Sequence, residues 1–185
     1  MRGHAHEAIR LHTRPLHDAL DSQLELSKLT SRTGYADYLL MNWACVPIEQ
    51  ALERAGIGQV LLDWEVRRRR IALAADLDAL GLPPPSYVAL TIDADIGSLL
   101  GWSYVLEGSR LGARLILQTV MRSSEAGVRR AMAFLRHGDG EQLWTAFKVE
   151  LGKIDRDPAA IAKACICANA AFHCFAPPHA QRALI

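Results

Sequence analysis

The stretch from Leu99 to Leu115 most constrains how this chain can fold, because it reads as an apolar helix and yet contains three glycines. A glycine in a helix interior costs about 1 kcal/mol relative to alanine. Gly101, Gly108 and Gly112 are seven and then four residues apart. At roughly 100° per residue they fall within about 40° of one another on one face. Such a bare stripe predicts that something large lies directly against the helix backbone.

The rest of the chain also reads as helix. Alternating β-branched runs and Asn-Gly hairpins, which would indicate strands, do not occur in the sequence. We therefore predict an all-α helical bundle of seven helices that forms one domain over residues 1–185. The predicted helices cover residues 3–25, 34–55, 59–80, 95–121, 123–137, 140–152 and 158–175. Pro15 should bend the first of them and Pro47 the second.

Composition excludes several function classes. The net charge of +1 leaves no global footprint for nucleic acid. No apolar run reaches the roughly 20 residues that a membrane span needs, and the N-terminal residues lack the apolar core of a signal peptide. The four cysteines have neither the spacing of a metal site nor the context of a disulfide framework. We expect a cytoplasmic protein with no nucleic-acid or membrane partner.

Four consecutive arginines, residues 67–70, interrupt the third predicted helix. Consecutive residues point all around a helix, so they do not form one basic patch. We interpret the run as a solvated segment with one or two inward salt bridges. Binding of a phosphate or carboxylate is the alternative.

His17 differs from the other histidines because it lies in the middle of the apolar stripe of the first helix. Asp21 follows it by one turn, within reach of the imidazole. A carboxylate that orients a histidine is typical of metal-ligating imidazoles, since it leaves the second ring nitrogen as a basic ligand. The same spacing is common in surface ion pairs, so both interpretations remain open on the pattern alone.

Two segments resemble a known family. Residues 9–21, IRLHTRPLHDALD, carry Thr13, His17 and Asp21 at four-residue intervals, and this resembles the proximal helix of heme oxygenases. Residues 104–113, YVLEGSRLGA, resemble the distal helix of the bacterial, phytochrome-associated branch of that family. Looser matches follow in the same order along nearly the whole chain.

The resemblance implies that heme lies between the first helix and the glycine helix, with His17 as the ligand of the iron. It assigns heme contacts to Arg10, Thr13, His17, Asp21, Tyr104, Gly108, Gly112 and Phe172. It assigns catalytic positions on the O₂ side to Gly108, Ser109 and Gly112. The bare backbone there would let O₂ be steered along the ring plane.

The activity implied is O₂-dependent opening of the heme ring to biliverdin, with release of CO and Fe²⁺. Electrons would come from an external donor protein such as ferredoxin, because no flavin or nicotinamide motif is present. A bacteriophytochrome would be the biliverdin acceptor that the branch suggests.

Four positions depart from the family pattern, and two alternatives stay open, the first of them motivated by Asn169 and Pro15. Ser109 replaces the aspartate of the animal enzymes, and Ala113 replaces a second glycine. Asn169 replaces a lysine that would face the heme propionates, and Pro15 lies inside the proximal helix. One alternative is a heme- or bilin-binding sensor or carrier without turnover. The other is a helical enzyme of the thiaminase-like kind, which usually places a cysteine and acids in its pocket.

Overall fold

The computed structural model describes residues 3–175, and this part of the chain is helical with no β-strand. The all-α prediction is confirmed. The predicted single domain over residues 1–185 extends beyond the described part and stays a prediction. No helix in the described part is long and apolar enough to cross a membrane. The α-helices are α1 (His4–Gln23), α2 (Arg32–Asn42), α3 (Cys45–Arg54), α4 (Trp64–Arg67), α5 (Arg70–Ala79), α6 (Ile96–Val120), α7 (Ala126–Arg130), α8 (Ala133–Arg136), α9 (Leu143–Leu151) and α10 (Pro158–Cys174).

Each of the seven predicted segments contains helix, but three of them are broken into two helices, and in the third, predicted from residue 59, the α-helix begins only at Trp64. The second breaks at residues 43–44, the third at 68–69 and the fifth at 131–132. Pro47 therefore does not kink a long helix. It lies in the first turn of α3, where its missing N–H has no helical partner to lose.

Pro15 does not end the first helix. α1 runs without interruption from His4 to Gln23 and contains Pro15 in its interior. The missing N–H leaves the carbonyl of Leu11 without its helical hydrogen bond, and Leu11 is exposed, so water can satisfy that oxygen. The turn that carries His17 remains helical.

The long helix α6 is the centre of the fold and packs along α10. A Cβ on Gly101 would come within 2.5 Å of the carbonyl oxygen of Ala164, and one on Gly97 within 2.6 Å of that of Ala160. These two glycines let the helix backbones approach closely. At Gly101 the large neighbour that the glycine stripe predicts is therefore helix α10, while Gly97 is an addition that the sequence interpretation missed.

The other end of α6 is less covered. α1 packs on α10 and α9 packs on α6, and their buried apolar side chains join one core that includes Ile9, Leu100, Phe147 and Ala168. Beyond residue 107, α6 buries few side chains. The C-terminal half of α1 and the C-terminal half of α6 therefore border an open space.

Candidate functional site

A cavity of about 860 Å³ lies between α1 and α6, and side chains of α2, α9 and α10 complete its wall. Its volume is in the range of small-molecule and cofactor sites. All nine residues that the sequence interpretation assigned to the site lie on its wall: Arg10, Thr13, His17, Asp21, Tyr104, Gly108, Ser109, Gly112 and Phe172. The structure thus brings together residues from three helices that are far apart in the chain.

On the α1 wall, Nδ1 of His17 lies 3.1 Å from Oδ2 of Asp21. With Nδ1–H donating to the carboxylate, the neutral ring keeps a free lone pair on Nε2. The two side chains are 59% and 65% exposed, so the ring is accessible to a ligand. Its edge packs on the Phe172 ring, with centroids 6.0 Å apart.

Thr13 and Arg10 lie on earlier turns of the same wall. Thr13 is buried and its hydroxyl donates to the carbonyl oxygen of Ile9 at 2.8 Å, so it offers the cavity no proton. Arg10 donates to both carboxylate oxygens of Glu7, and this hydrogen bonding raises the pKa of the guanidinium. Arg14 also lines the cavity and lies 3.7 Å from Asp18.

The α6 wall is bare at two glycines. A Cβ on Gly108 would meet only the Trp144 ring, at 4.0 Å, and a Cβ on Gly112 would meet no atom of the described residues within 4 Å. Gly101 on the same stripe is tightly packed. The stripe therefore has two uses: helix packing at one end and an open cavity wall at the other.

Ser109 lies beside these glycines and has a defined hydrogen-bond direction. Its hydroxyl donates to the carbonyl oxygen of Leu106 at 2.8 Å and accepts from Nη2 of Arg69 at 2.8 Å. A hydroxyl has one proton and two lone pairs, so one lone pair is left. Towards the cavity Ser109 can therefore act only as an acceptor.

Arg69 contacts the cavity-lining Ser109, and the sequence interpretation missed it. Arg69 and Arg67 are 3% and 2% exposed. Arg67 makes one of the inward salt bridges that the interpretation allowed, whereas Arg69 is buried without an ion pair among the described residues, so the interpretation as solvated was wrong for Arg69. The carboxylate of Glu49 accepts from the backbone N–H groups of Arg69 and Arg70, at 2.8 and 3.2 Å. This contact holds the break between α4 and α5 and aims the Arg69 side chain at α6, with its guanidinium 4.9 Å above the ring of Phe134.

Arg67 and Arg110 both bind Glu107 of α6. Nη1 of Arg67 lies 2.7 Å from Oε2 of Glu107, and both side chains are buried. Nε of Arg110 lies 3.0 Å from the same oxygen, and its Nη1 lies 3.2 Å from Nδ1 of His137. Burial and the charge of Arg110 lower the pKa of His137 to about 4, so this imidazole is neutral at physiological pH.

Aromatic rings form the end of the cavity near α9. Tyr104 is buried, and its ring lies 5.6 Å from that of Trp144. Burial raises the pKa of the Tyr104 phenol to about 12, so it stays protonated. Asn169, by contrast, does not line the cavity, and its Oδ1 is buried without a hydrogen-bond partner among the described residues.

Known proteins share both the fold and part of the sequence. A family model described as heme oxygenase matches residues 89–177, which include α6 but not His17. A heme oxygenase of Xanthomonas campestris pv. campestris (strain 8004) is 33% identical over 110 residues, 59% of this chain. That match covers 66% of the relative, just under two thirds of its length.

A crystal structure of the NO- and CO-bound heme oxygenase from Neisseria meningitidis superposes with a TM-score of 0.76. It is 22% identical, and the match covers 95% of this chain and 89% of that chain. At this identity the likeness shows the fold. Fold, family model and curated relative agree with one another: the chain has the fold of a heme oxygenase, and its residues 89–177 match the heme oxygenase family model.

Proposed function

We propose that the protein is a heme oxygenase, which opens heme to biliverdin with O₂ and external electrons and releases CO and Fe²⁺. One observation carries this proposal: the His17–Asp21 pair and the bare backbone of Gly108 and Gly112 line the same cavity. Bound heme is the substrate and also supplies the iron at which O₂ is activated.

The walls suit a flat, largely apolar ligand with two carboxylates. Rings of Tyr104, Trp144 and Phe172 supply apolar surface. Arg10 and Arg14 are the arginines on the cavity wall, and guanidinium groups bind carboxylates well. We assign the propionates to this side of α1, because Asn169 does not reach the cavity.

His17 provides the iron ligand through Nε2. Asp21 holds the proton on Nδ1, which fixes the tautomer and raises the basicity of the ligating nitrogen. The uninterrupted helix through Pro15 keeps His17 on the turn where Asp21 can reach it.

The α6 wall provides the oxygen side. No side chain at Gly108 or Gly112 competes for the space there, so a small diatomic molecule can lie against the backbone. Ser109 accepts a hydrogen bond from a water in the cavity, and the second proton of that water is then free to point at the bound O₂. Arg69 holds Ser109 in this orientation.

The electron donor, the product acceptor and the location belong to the same proposal. A ferredoxin-type protein would supply the electrons, and a bacteriophytochrome would accept biliverdin. All four cysteines are free thiols and three of them are buried, which suits the reducing cytoplasm.

The structure weighs against the two alternatives of the sequence interpretation. A thiaminase-like site needs a cysteine in the pocket, and none of the four cysteines lines this cavity. A carrier without turnover was motivated by Pro15 and Asn169. Pro15 leaves the His17 turn intact, so Asn169 alone favours a carrier.

Turnover with a small reductant tests the proposal. Purified protein is loaded with hemin and supplied with ascorbate under air. We expect the Soret band of the complex to decay while a biliverdin band appears. Heme that stays intact through repeated reduction would overturn catalysis and leave the carrier as the remaining function.

A further inference from the structure

Positive charge is concentrated in one part of this chain. Residues 110–136 contain six arginines and a single acid, Glu125, whereas the whole chain carries a net charge of +1. The remainder of the chain is therefore net negative by four charges. Five of the six arginines are exposed, and we refer to them as the arginine face: Arg114, Arg122, Arg129, Arg130 and Arg136.

The charges of the arginine face are not neutralised within the described part of the chain. Arg129 donates to the carbonyl oxygen of Ser123, and none of the five takes part in an ion pair among residues 3–175. The carboxylate of Glu125 accepts from the backbone N–H of Arg32. The residues outside the described range contain no Asp or Glu. Asp139 and Glu141 share a small cavity with Arg114 at one edge of the face and reduce the positive charge there.

The α1 side of the heme cavity is different, because its cations are paired. Arg10 is bound to Glu7 and Arg14 lies beside Asp18. Lys28, in the segment that follows α1, is bound to Glu25. An acidic protein is therefore attracted to the arginine face and not to the α1 side.

The arginine face lies close behind the cavity. Its arginines follow one another from the C-terminal half of α6 through α7 to α8. α8 packs on α6, whereas α7 packs on α2 and α5 and is linked to the end of α6 by the hydrogen bond from Arg129 to the carbonyl oxygen of Ser123. Arg114 is two residues from both Gly112 and Ile116, which line the cavity, and points about 160° away from them around the helix. A helix with its side chains is about 10 Å across, so a protein docked at Arg114 would lie one helix thickness from heme in the cavity.

We infer that the arginine face is the docking surface for an acidic, one-electron iron–sulfur protein of the ferredoxin type. This inference rests on the proposed function, which requires electrons from outside the chain. In each encounter the iron–sulfur cluster loses one electron and ferric heme gains it to become ferrous. No bond is formed or broken between the two proteins.

A pair of charge reversals tests the docking surface. Arg122→Glu with Arg130→Glu changes two exposed arginines of the face. Lys153→Glu with Arg156→Glu changes the net charge equally, in the segment between α9 and α10. Reduced [2Fe–2S] ferredoxin is mixed with the hemin complex, and binding of oxidised ferredoxin to the heme-free protein is measured in parallel.

We expect the first pair to lower the rate of heme reduction and the ferredoxin affinity about tenfold or more at low salt, with a flatter salt dependence. The control pair should stay within about twofold of wild type. Arg122→Gln with Arg130→Gln should shift both values in the same direction by less, and it serves if charge reversal impairs folding. Ascorbate, which needs no docking surface, should reduce all variants equally.

Four outcomes overturn the inference. The docking surface is contradicted if the test and control pairs lose heme reduction rate and ferredoxin affinity equally, or if the rate of reduction by ferredoxin does not depend on salt. In both cases, turnover with ascorbate would still support the proposed function. If the wild-type protein binds RNA more tightly than ferredoxin, and the same arginines are required, the face belongs to another partner. Wild-type protein that cannot degrade heme even with ascorbate overturns both the function and the docking surface.

Discussion

Ser109 Oγ accepts a 2.8 Å hydrogen bond from Nη2 of Arg69, a residue 40 positions earlier in the chain. The same Nη2 also donates to the carbonyl oxygen of Leu106, at 2.8 Å. Ser109 donates to that carbonyl as well, so its only proton is used. A cavity-lining hydroxyl is thus held as a pure acceptor by a buried cation.

Arg69→Met should alter the chemistry of the oxygen side more than it alters heme binding. The acid–alkaline transition of the ferric complex is the loss of a proton from the water bound to the iron. Loss of a nearby cation disfavours the resulting hydroxide, so the pKa of this transition should rise by about 0.5–1 pH unit. Turnover with ascorbate should fall about tenfold, because Ser109 loses the donor that orients it. Absorbance titration and turnover rates measure the two effects.

Arg70→Met is the matched control for Arg69→Met. Its guanidinium binds Glu53 and does not contact Ser109. The same transition pH and rate in both variants would show that Arg69 has only a structural role. Arg69→Lys, which keeps the charge, should restore the transition pH in part.

The Arg69–Ser109 contact also shows where sequence interpretation stopped. His17 with Asp21, and Gly108 with Gly112, are separated by four residues, so a helical period alone puts each pair on one face. No such period connects Arg69 to Ser109. Their contact depends on the break between α4 and α5, which Glu49 holds from a third helix.

The same reasoning accounts for the other differences. The breaks at residues 68–69 and 131–132 lack the Gly or Pro punctuation that would predict them, whereas the break at 43–44 comes just before the helix turn that contains Pro47. Gly97 was missed because its partner, the carbonyl oxygen of Ala160, is fixed only when α10 packs on α6. Local spacing predicted the helices and the faces of the site, whereas tertiary contacts decided the breaks and the buried arginines.

The two ends of the glycine stripe should respond oppositely to the same substitution. Gly101→Ala places a Cβ about 2.5 Å from the carbonyl oxygen of Ala164, and such overpacking costs roughly 1–3 kcal/mol. Gly112→Ala meets no described atom within 4 Å, so improved helix propensity should stabilise the protein by up to about 1 kcal/mol. Denaturant unfolding of the heme-free variants measures both. Equal destabilisation would mean that Gly112 is packed.

A large side chain at Gly112 should impair function without impairing folding. Gly112→Leu fills space on the cavity wall beside Ser109, so it should slow O₂-dependent turnover at least tenfold or change which meso carbon is cut. The heme-free variant should unfold at or above the wild-type denaturant concentration. Product analysis by chromatography resolves the biliverdin isomers, and an unchanged rate and isomer would contradict the assignment of this wall to O₂.

Removal of His17 should abolish the histidine-ligated heme spectrum, because Nε2 is the proposed ligand. Asp21→Ala should keep that spectrum and weaken hemin binding by about 10–100-fold, the usual effect of losing a carboxylate behind a ligating histidine. His12→Ala is the matched control, since His12 is exposed on the same helix and does not line the cavity. An unchanged spectrum in His17→Ala would place the ligand elsewhere.

The half-buried His137 should make stability depend on pH. Its pKa is lowered from 6.5 to about 4 in the folded protein, by burial first and by Arg110 second. Between these values the unfolded chain binds a proton that the folded protein does not, so the free energy of unfolding should fall as the pH drops from about 6.5 to about 4.

His137→Gln keeps an acceptor for Arg110 and removes the titration. Its unfolding free energy should decline less over this window, by an amount on the order of 1 kcal/mol for a half-buried group. Carboxylates also titrate there, so the difference between wild type and variant carries the result, with His12→Gln as the exposed control. Parallel curves for wild type and His137→Gln would show that His137 is protonated in the folded protein.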